Sequence, residues 1–453
     1  MKIVIVGAGK MGREVCESLV QNGHEIILIE KDPDRLQDML DTADLTGIEG
    51  NGSFFEIQKE AGVDNADMFI ALTDQDEINI IACVIASHLG AKYTVARVRT
   101  PEYADHMGFS YRNLGINFMV NPDREAAREI YRTLQFPAAL SVESFLHGHV
   151  HMVQLVIREN SILAGISLIR FRQKFPGLII CAIQDRNETM IPSGNTELKA
   201  GQHIYLLGDP EDMKRLYREM NARHSIRSCL FIGGGRITKY TLDLHRKTSK
   251  HLKVIENNPT TAHNLACDYQ NVEIILGDGT DQNLLLEENM SAYDCVIAMT
   301  GIDEENIMLS LSAQKIGVPR TITKISRPTL IPLAKSLEIQ SILLPAKLGA
   351  TAVIRYVRSI SNAQNSSNIE ALSRLEDESV EIMQFFVKDT FRALNRPLSD
   401  IPLRSGILVV AIARNGELIF PSGGTHICSG DRVLIVSKDI KAGDLNDFLR
   451  IHA

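Results

Sequence analysis

Short runs of β-branched and aliphatic residues alternate with helical periodicity through two long parts of the chain. Two shorter parts show strand-like, period-two runs instead. The chain opens on Lys2-Ile3-Val4-Ile5-Val6, a strand pattern; Ile26 to Ile29 reads as the next strand, and Asp32-Pro33 as a helix start with proline at the first helical position. Such alternation predicts a parallel, doubly wound α/β sheet. In contrast, Val153 to Ile157, Leu178 to Ile183 and Ile204 to Leu207 alternate with period two between Gly and Pro turns, which predicts a small mixed α+β domain.

The pattern occurs twice, at an offset of about 226 to 229 residues. Val4-Ile5-Val6-Gly7-Ala8-Gly9-Lys10-Met11-Gly12 is echoed by Leu230-Phe231-Ile232-Gly233-Gly234-Gly235-Arg236-Ile237-Thr238, and Ile29-Glu30-Lys31-Asp32-Pro33 by Ile255-Glu256-Asn257-Asn258-Pro259. Gly50-Asn51-Gly52-Ser53 returns as Gly277-Asp278-Gly279-Thr280. Thr73, Asp76, Glu77 and Asn79 return as Thr300, Asp303, Glu304 and Asn306, and Arg97 as Lys324. The period-two parts also repeat, Ile191-Pro192-Ser193-Gly194 as Phe420-Pro421-Ser422-Gly423. The predicted order is therefore two Rossmann domains, 1–136 and 223–361, each followed by a small α+β domain, 137–222 and 362–453. The polar stretch Asn362 to Asn368 reads as the linker of the second half.

Charge and composition narrow the functions open to such a chain. With 453 residues, 44% hydrophobic and 23% charged, it is an ordinary multi-domain globular sequence. A net charge of −8 and a pI near 5.9 give no overall attraction to nucleic acid or an anionic bilayer. No apolar run approaches the roughly 20 residues of a membrane span; Ile78 to Ala91 is broken by Asn79, Ser87 and His88. With no export signal at the N-terminus, the expectation is a cytoplasmic protein that meets a membrane only through a partner. Seven scattered cysteines without a C-x-x-C spacing read as buried reduced thiols.

The candidate chemistry lies in the G-x-G-x-x-G of Gly7, Gly9 and Gly12, which follows a strand and opens a helix. Gly7 permits the tight turn, Gly9 lets backbone approach a pyrophosphate, and Gly12 lets helix and strand close up, with the helix N-terminus supplying positive potential. Glu30, at the end of the second strand, is placed to accept ribose hydroxyls and to repel a 2′-phosphate, which favours NAD over NADP. Gly233, Gly235 and Glu256 repeat these roles, while Thr238 replaces the third glycine and calls for wider helix–strand packing. Arg97 and Lys324, at the carboxyl end of the fifth strand, are placed to neutralise a phosphate; Lys lacks the bidentate fork of Arg, so the two sites are expected to differ. Thr73 is the ligand candidate at the end of the fourth strand, and Asp76 and Glu77 read equally well as acids complementing a helix N-terminus.

With these duplicated loops and acids, the chain resembles the TrkA family of Trk potassium-uptake systems, whose members carry tandem RCK (regulator of potassium conductance) units. The resemblance spans essentially the whole length. It implies a non-catalytic peripheral subunit, a homo-oligomeric ring of four chains beneath a potassium-translocating membrane partner of the TrkH/TrkG/KtrB type, responding to NAD(H) and to ATP or ADP. By the family pattern the nucleotide contacts Gly7, Ala8, Gly9, Lys10, Met11, Glu30, Thr73 and Arg97 in the first half. In the second half it contacts Gly233, Gly234, Gly235, Arg236, Ile237, Glu256, Thr300 and Lys324. Asn51 and Thr238 depart from that pattern.

Two rival classes stay open from the residues. An NAD-dependent oxidoreductase would need a substrate domain delivering an acid or base to the nicotinamide, and the α+β domains are about half the usual size. His147, His149 and His151 would share one strand face, as an exposed face or a metal site. A nucleic-acid binder would need a basic segment, for which Arg223 to Arg227 and Arg236 to Lys253 are the candidates, the latter reading as a solvated helical face.

Overall fold

The computed structural model describes residues 1–104, 113–136, 139, 141–146, 150–159, 161–185, 188–220, 226–339, 341–364, 369–375, 380–438, 442 and 444–450. The first half begins with strands β1 (Lys2–Val6), β2 (Glu25–Glu30), β3 (Thr46–Glu49), β4 (Met68–Ala71), β5 (Tyr93–Arg97) and β6 (Phe118–Val120). These form one parallel sheet in the order β3-β2-β1-β4-β5-β6, the doubly wound arrangement expected from the β/α alternation. Its central strands are buried on both faces: Ile3, Val4, Ile5, Phe69 and Ile70 are wholly inaccessible, which is why they read as continuous apolar runs. Strands β7 (Ser141–Phe145), β8 (Val150–Val156), β9 (Leu178–Asp185), β10 (Glu188–Met190) and β11 (His203–Gly208) follow as an antiparallel sheet ordered β10-β9-β11-β8-β7.

The second half repeats the plan. Strands β12 (Ser228–Ile232), β13 (His251–Glu256), β14 (Glu273–Leu276), β15 (Cys295–Ala298), β16 (Arg320–Lys324) and β17 (Ile342–Leu343) make a parallel sheet ordered β14-β13-β12-β15-β16-β17. Strands β18 (Ile369–Arg374), β19 (Val380–Phe386), β20 (Ile407–Arg414), β21 (Glu417–Ile419) and β22 (Arg432–Lys438) make an antiparallel sheet ordered β18-β19-β22-β20-β21.

In space like gathers with like. The two Rossmann sheets lie in one compact unit (1–135 and 224–354) and the two antiparallel sheets in the other (136–223 and 355–453). Within the Rossmann unit the modules exchange helices. Ala126, Ala127, Ile130 and Leu134 of the helix Pro122–Gln135 are buried in one cluster with Phe231, Val254 and Ile297 of the second sheet. Gly349, on the helix Pro345–Gln364, lies against Met11 and Pro122, where an added Cβ would come 3.1 Å from the Met11 sulfur. In the other unit, Phe145, Val150, Met152 and Leu207 share one core with Val380, Ile382, Val410 and Leu434.

Several expectations are corrected. Asn362 to Gln364 continue the helix Pro345–Gln364 instead of linking; helix propagation adds one hydrogen bond per residue once a helix is nucleated, and alanine and glutamine favour it. Residues 365–368 of that stretch, with His147, His149 and 223–225, lie outside the described residues. The basic run from Arg236 does present a solvated helical face: Arg236, Lys239 and Arg246 are exposed and pair at the surface with Asp123, Asp268 and Asp243, while Lys253, on β13, is sheltered and pairs with Glu288. Five cysteines are buried, but Cys267 is exposed and Cys428 half-buried.

Candidate functional site

A cavity of about 950 Å³, in the size range of small-molecule sites, opens at the carboxyl end of the first parallel sheet. Gly7, Ala8, Gly9, Lys10, Met11, Glu30, Thr73 and Arg97 all line it, joined by Asn51 and Gly52 and, from the second module, by Pro328, Thr329 and Ala346. The eight first-half residues named from sequence thus converge on one space.

Each glycine of the loop has its own reason. Gly7 adopts φ +98°, which L side chains rarely take, while its amide donates to the carbonyl of Ile29 at 2.9 Å. A Cβ on Gly12 would lie 1.9 Å from the Gly7 carbonyl oxygen, so helix Lys10–Gln21 packs on its strand only because that residue has no side chain. Gly9 is different: a Cβ there would meet no protein atom within 4 Å. The backbone at the helix N-terminus is thus open to close approach, as binding of a pyrophosphate there would require.

Glu30 is held rigidly at the base. Its Oε2 accepts from the Ala8 amide at 2.5 Å, and its Oε1 from the amides of Lys31 and Asp32 at 2.9 and 3.0 Å. A carboxylate has about four lone-pair sites, so one is left on Oε2 for a ligand hydroxyl. Arg97 donates through Nη1 to the Thr73 carbonyl at 2.8 Å, while its buried Nε has no partner among the described residues. Burial pushes its guanidinium below the ordinary value, so an added anion would be stabilised there. An orphaned donor, an open helix N-terminus and a fixed carboxylate are together the complement of a nucleotide diphosphate.

Sequence reasoning missed the residue that holds this corner together. Asn79 is fully buried; its Oδ1 accepts from the Thr73 amide and hydroxyl at 2.9 and 2.7 Å, and its Nδ2 donates to the carbonyls of Thr73 and Arg97 at 3.1 and 2.9 Å. The Thr73 hydroxyl is therefore spent on the fold. Asp76 is also more than a dipole acid. Gln75 occupies the N-cap position, and the buried Asp76 carboxylate accepts from the amides of Arg99 and Thr100 at 2.9 and 2.8 Å, fixing the loop after β5. The recurrence of Asn306 and Asp303 in the repeat was the available signal.

The second half keeps the scaffold. Gly233 takes φ +105° and donates to Ile255, and Glu256 accepts from Gly234 and Asn258 at 2.6 and 2.7 Å. Asn306 links Thr300 to the Lys324 carbonyl at 3.1 Å. Ile237 is buried and Lys324 half-buried, its ammonium lowered from its ordinary value by burial. Thr238 is accommodated with its hydroxyl donating to the Gly233 carbonyl at 2.5 Å, the counterpart of the Gly7 carbonyl that Gly12 faces in the first half.

Fold and loops define a duplicated Rossmann protein with a glycine loop in each copy. The TrkA-N domain family matches residues 3–122 and 229–345, and the TrkA-C domain family residues 152–221 and 382–449. A Trk system potassium uptake protein TrkA homolog of Archaeoglobus fulgidus is 31% identical over 438 residues, 97% of either chain. The Trk system potassium uptake protein TrkA of Halomonas elongata is 29% identical over 440 residues, covering 96% of this chain and 95% of that one. The GsuK RCK domain has the same fold, with a TM-score of 0.62 at 17% identity over 96% of this chain and 92% of that one. A structure titled as the GsuK channel bound to NAD gives the same TM-score of 0.62 and identity of 17%, over 96% and 76%. The chain belongs to the TrkA family of Trk-system potassium uptake proteins.

Proposed function

We propose that this chain is a nucleotide-binding regulatory subunit of a Trk-type potassium uptake system, working on the cytoplasmic face of a separate membrane protein that translocates the ion. The observation that carries the reading is a cavity in which the open glycine loop, the fixed Glu30 carboxylate and an Arg97 Nε without a partner among the described residues converge, in a chain whose relatives are named for potassium uptake. Among the described residues no helix is long and apolar enough to cross a membrane, and the reading assigns translocation to a TrkH/TrkG/KtrB-type partner.

Gly7 to Met11 would hold a diphosphate, Glu30 an adenosine ribose, and Arg97 the remaining negative charge, with Gly233 to Ile237, Glu256, Thr300 and Lys324 as the second set. The free Oε2 position on Glu30 favours an unmodified ribose, hence NAD(H), ADP or ATP over NADP. Binding acts by linkage: a nucleotide shifts the partner only through its different affinity for two arrangements of the subunit, typically about 1 to 3 kcal/mol per site. A homo-oligomer of four chains would present eight Rossmann modules.

The test is calorimetric titration of the full chain with NAD, NADH, ADP and ATP, repeated on Glu30→Gln and Glu256→Gln. Binding without hydride transfer, weakened site by site, supports the regulator. Turnover of a nicotinamide against a reducible substrate would show an oxidoreductase instead.

A further inference from the structure

The two glycine loops differ in what stands in front of them. Asp123 opens the helix Pro122–Gln135, but the end of that helix is capped by Asn121, whose Oδ1 accepts from the amides of Asp123 and Arg124 at 3.0 and 3.1 Å. The Asp123 carboxylate is thus free for another partner. It accepts a hydrogen bond from Nε of Arg236 at 2.8 Å, with 14% of its side chain exposed. Arg236 directly follows Gly235, where the second glycine loop enters its helix. At longer range the charge of Asp123 acts on Lys324, at the end of β16, and on Arg97, at the end of β5, so what sets the second loop apart is the direct Asp123–Arg236 pair. One carboxylate from the first module is therefore bound directly to the cation that opens the second loop's helix.

Among the described residues the first loop has no counterpart of this ion pair. Ala96 pairs with Met119 and Thr323 with Ile342, so Asp123, four residues past Met119, corresponds to Ala346, four residues past Ile342. Ala346 lines the first cavity and carries no charge. Lys10, the counterpart of Arg236, is exposed and makes no ion pair among the described residues.

We propose that Asp123 is a specificity-determining residue of the second glycine loop: an internal carboxylate paired with the phosphate-binding cation Arg236, which a nucleotide phosphate must displace. The proposal rests on the nucleotide-binding reading above and assigns the two sites different affinities. A phosphate arriving at Arg236 meets a half-sheltered negative charge, and breaking the ion pair leaves that charge beside the incoming anion. Because Asp123 sits on the exchanged helix, directly after β6, filling the second site also disturbs an element of the first module.

The experiment is calorimetric titration of the full chain with ADP and, separately, NADH, the two sites being told apart with Glu30→Gln and Glu256→Gln. Asp123→Asn, which removes one charge and almost no volume, is expected to tighten the second site about tenfold and to change the first by less than about threefold. Ala346→Asp supplies the missing carboxylate and is expected to weaken the first site about tenfold. Circular dichroism melts confirm that each variant is folded, and Ala346→Asp decides the matter by itself if Asp123→Asn fails to fold. Unchanged or weaker second-site binding in Asp123→Asn, or unchanged first-site binding in Ala346→Asp, overturns the proposal. A wild-type chain that binds neither nucleotide at either loop overturns the functional reading as well, which separates the two failures.

Discussion

Set side by side, the two glycine loops share their backbone and differ in their side chains. In both, a glycine at positive φ donates to the end of the second strand, a glutamate accepts from the loop amide, and a buried asparagine ties the fourth strand to the fifth. Around that frame the first copy is open where the second is self-satisfied. Gly12 lies tight against the Gly7 carbonyl where the Thr238 hydroxyl donates to the Gly233 carbonyl, Lys10 makes no ion pair among the described residues where Arg236 is bound to Asp123, and buried Leu19 is replaced by buried His245. Backbone hydrogen bonding has to be kept for the sheet to form, since an unmade buried bond costs about 1 to 3 kcal/mol, whereas groups that face a ligand are under no such constraint.

The strongest way to break the comparison is at the third glycine. Gly12→Ala forces a Cβ to within 1.9 Å of a backbone oxygen, and a loss of about 3 kcal/mol in stability with loss of first-site binding is expected in urea unfolding and calorimetry. A pH series addresses the replaced core residue. Burial, with a smaller contribution from Lys250, lowers His245 from 6.5 to about 4, so the folded chain stays neutral there while the unfolded chain takes up a proton. Its contribution is complete above pH 6.5 and is lost as pH falls toward 4, by up to about 3 kcal/mol. His245→Leu, which copies the first half, should flatten that slope relative to the parent in thermal melts from pH 7 to 4.

The shared frame should respond equally in both halves. Asn79→Ala and Asn306→Ala each strip the link between fourth and fifth strands, and about 2 kcal/mol of destabilisation is expected from either. A loss confined to one half would show that the copies do not share their scaffold. The smallest effect is expected from Thr238→Gly, which removes one hydrogen bond, for about 1 kcal/mol in the same unfolding measurement.

Much of this was legible because parallel strands and period-two strands leave different marks. Val153 to Ile157, Leu178 to Ile183 and Ile204 to Leu207 lie within or overlap the observed Val150–Val156, Leu178–Asp185 and His203–Gly208. Asp32, followed by proline, does cap its helix, accepting from the amides of Asp34 and Arg35. The glycines and Glu30 carry a local signature, so their convergence on one cavity was foreseeable. The roles of Asn79 and Asp76 were not, because the partners that tie them to the fifth strand lie 18 to 24 residues away. Asp123 was still less visible: Arg236 is 113 residues distant, and periodicity within a helix says nothing of which module that helix will cover.

The alternation of modules along the chain, against their pairing by type in space, has a consequence for how the molecule came to be asymmetric. A half-length chain would leave Phe145, Val150 and Met152 without the second sheet that shares their core, so two such chains would have to meet to bury them. Joining the copies turns that encounter into an internal one, at an effective concentration on the order of millimolar. It also abolishes the obligation that both copies be identical. A duplicated gene product of this kind is a tethered dimer free to assign each former subunit its own task.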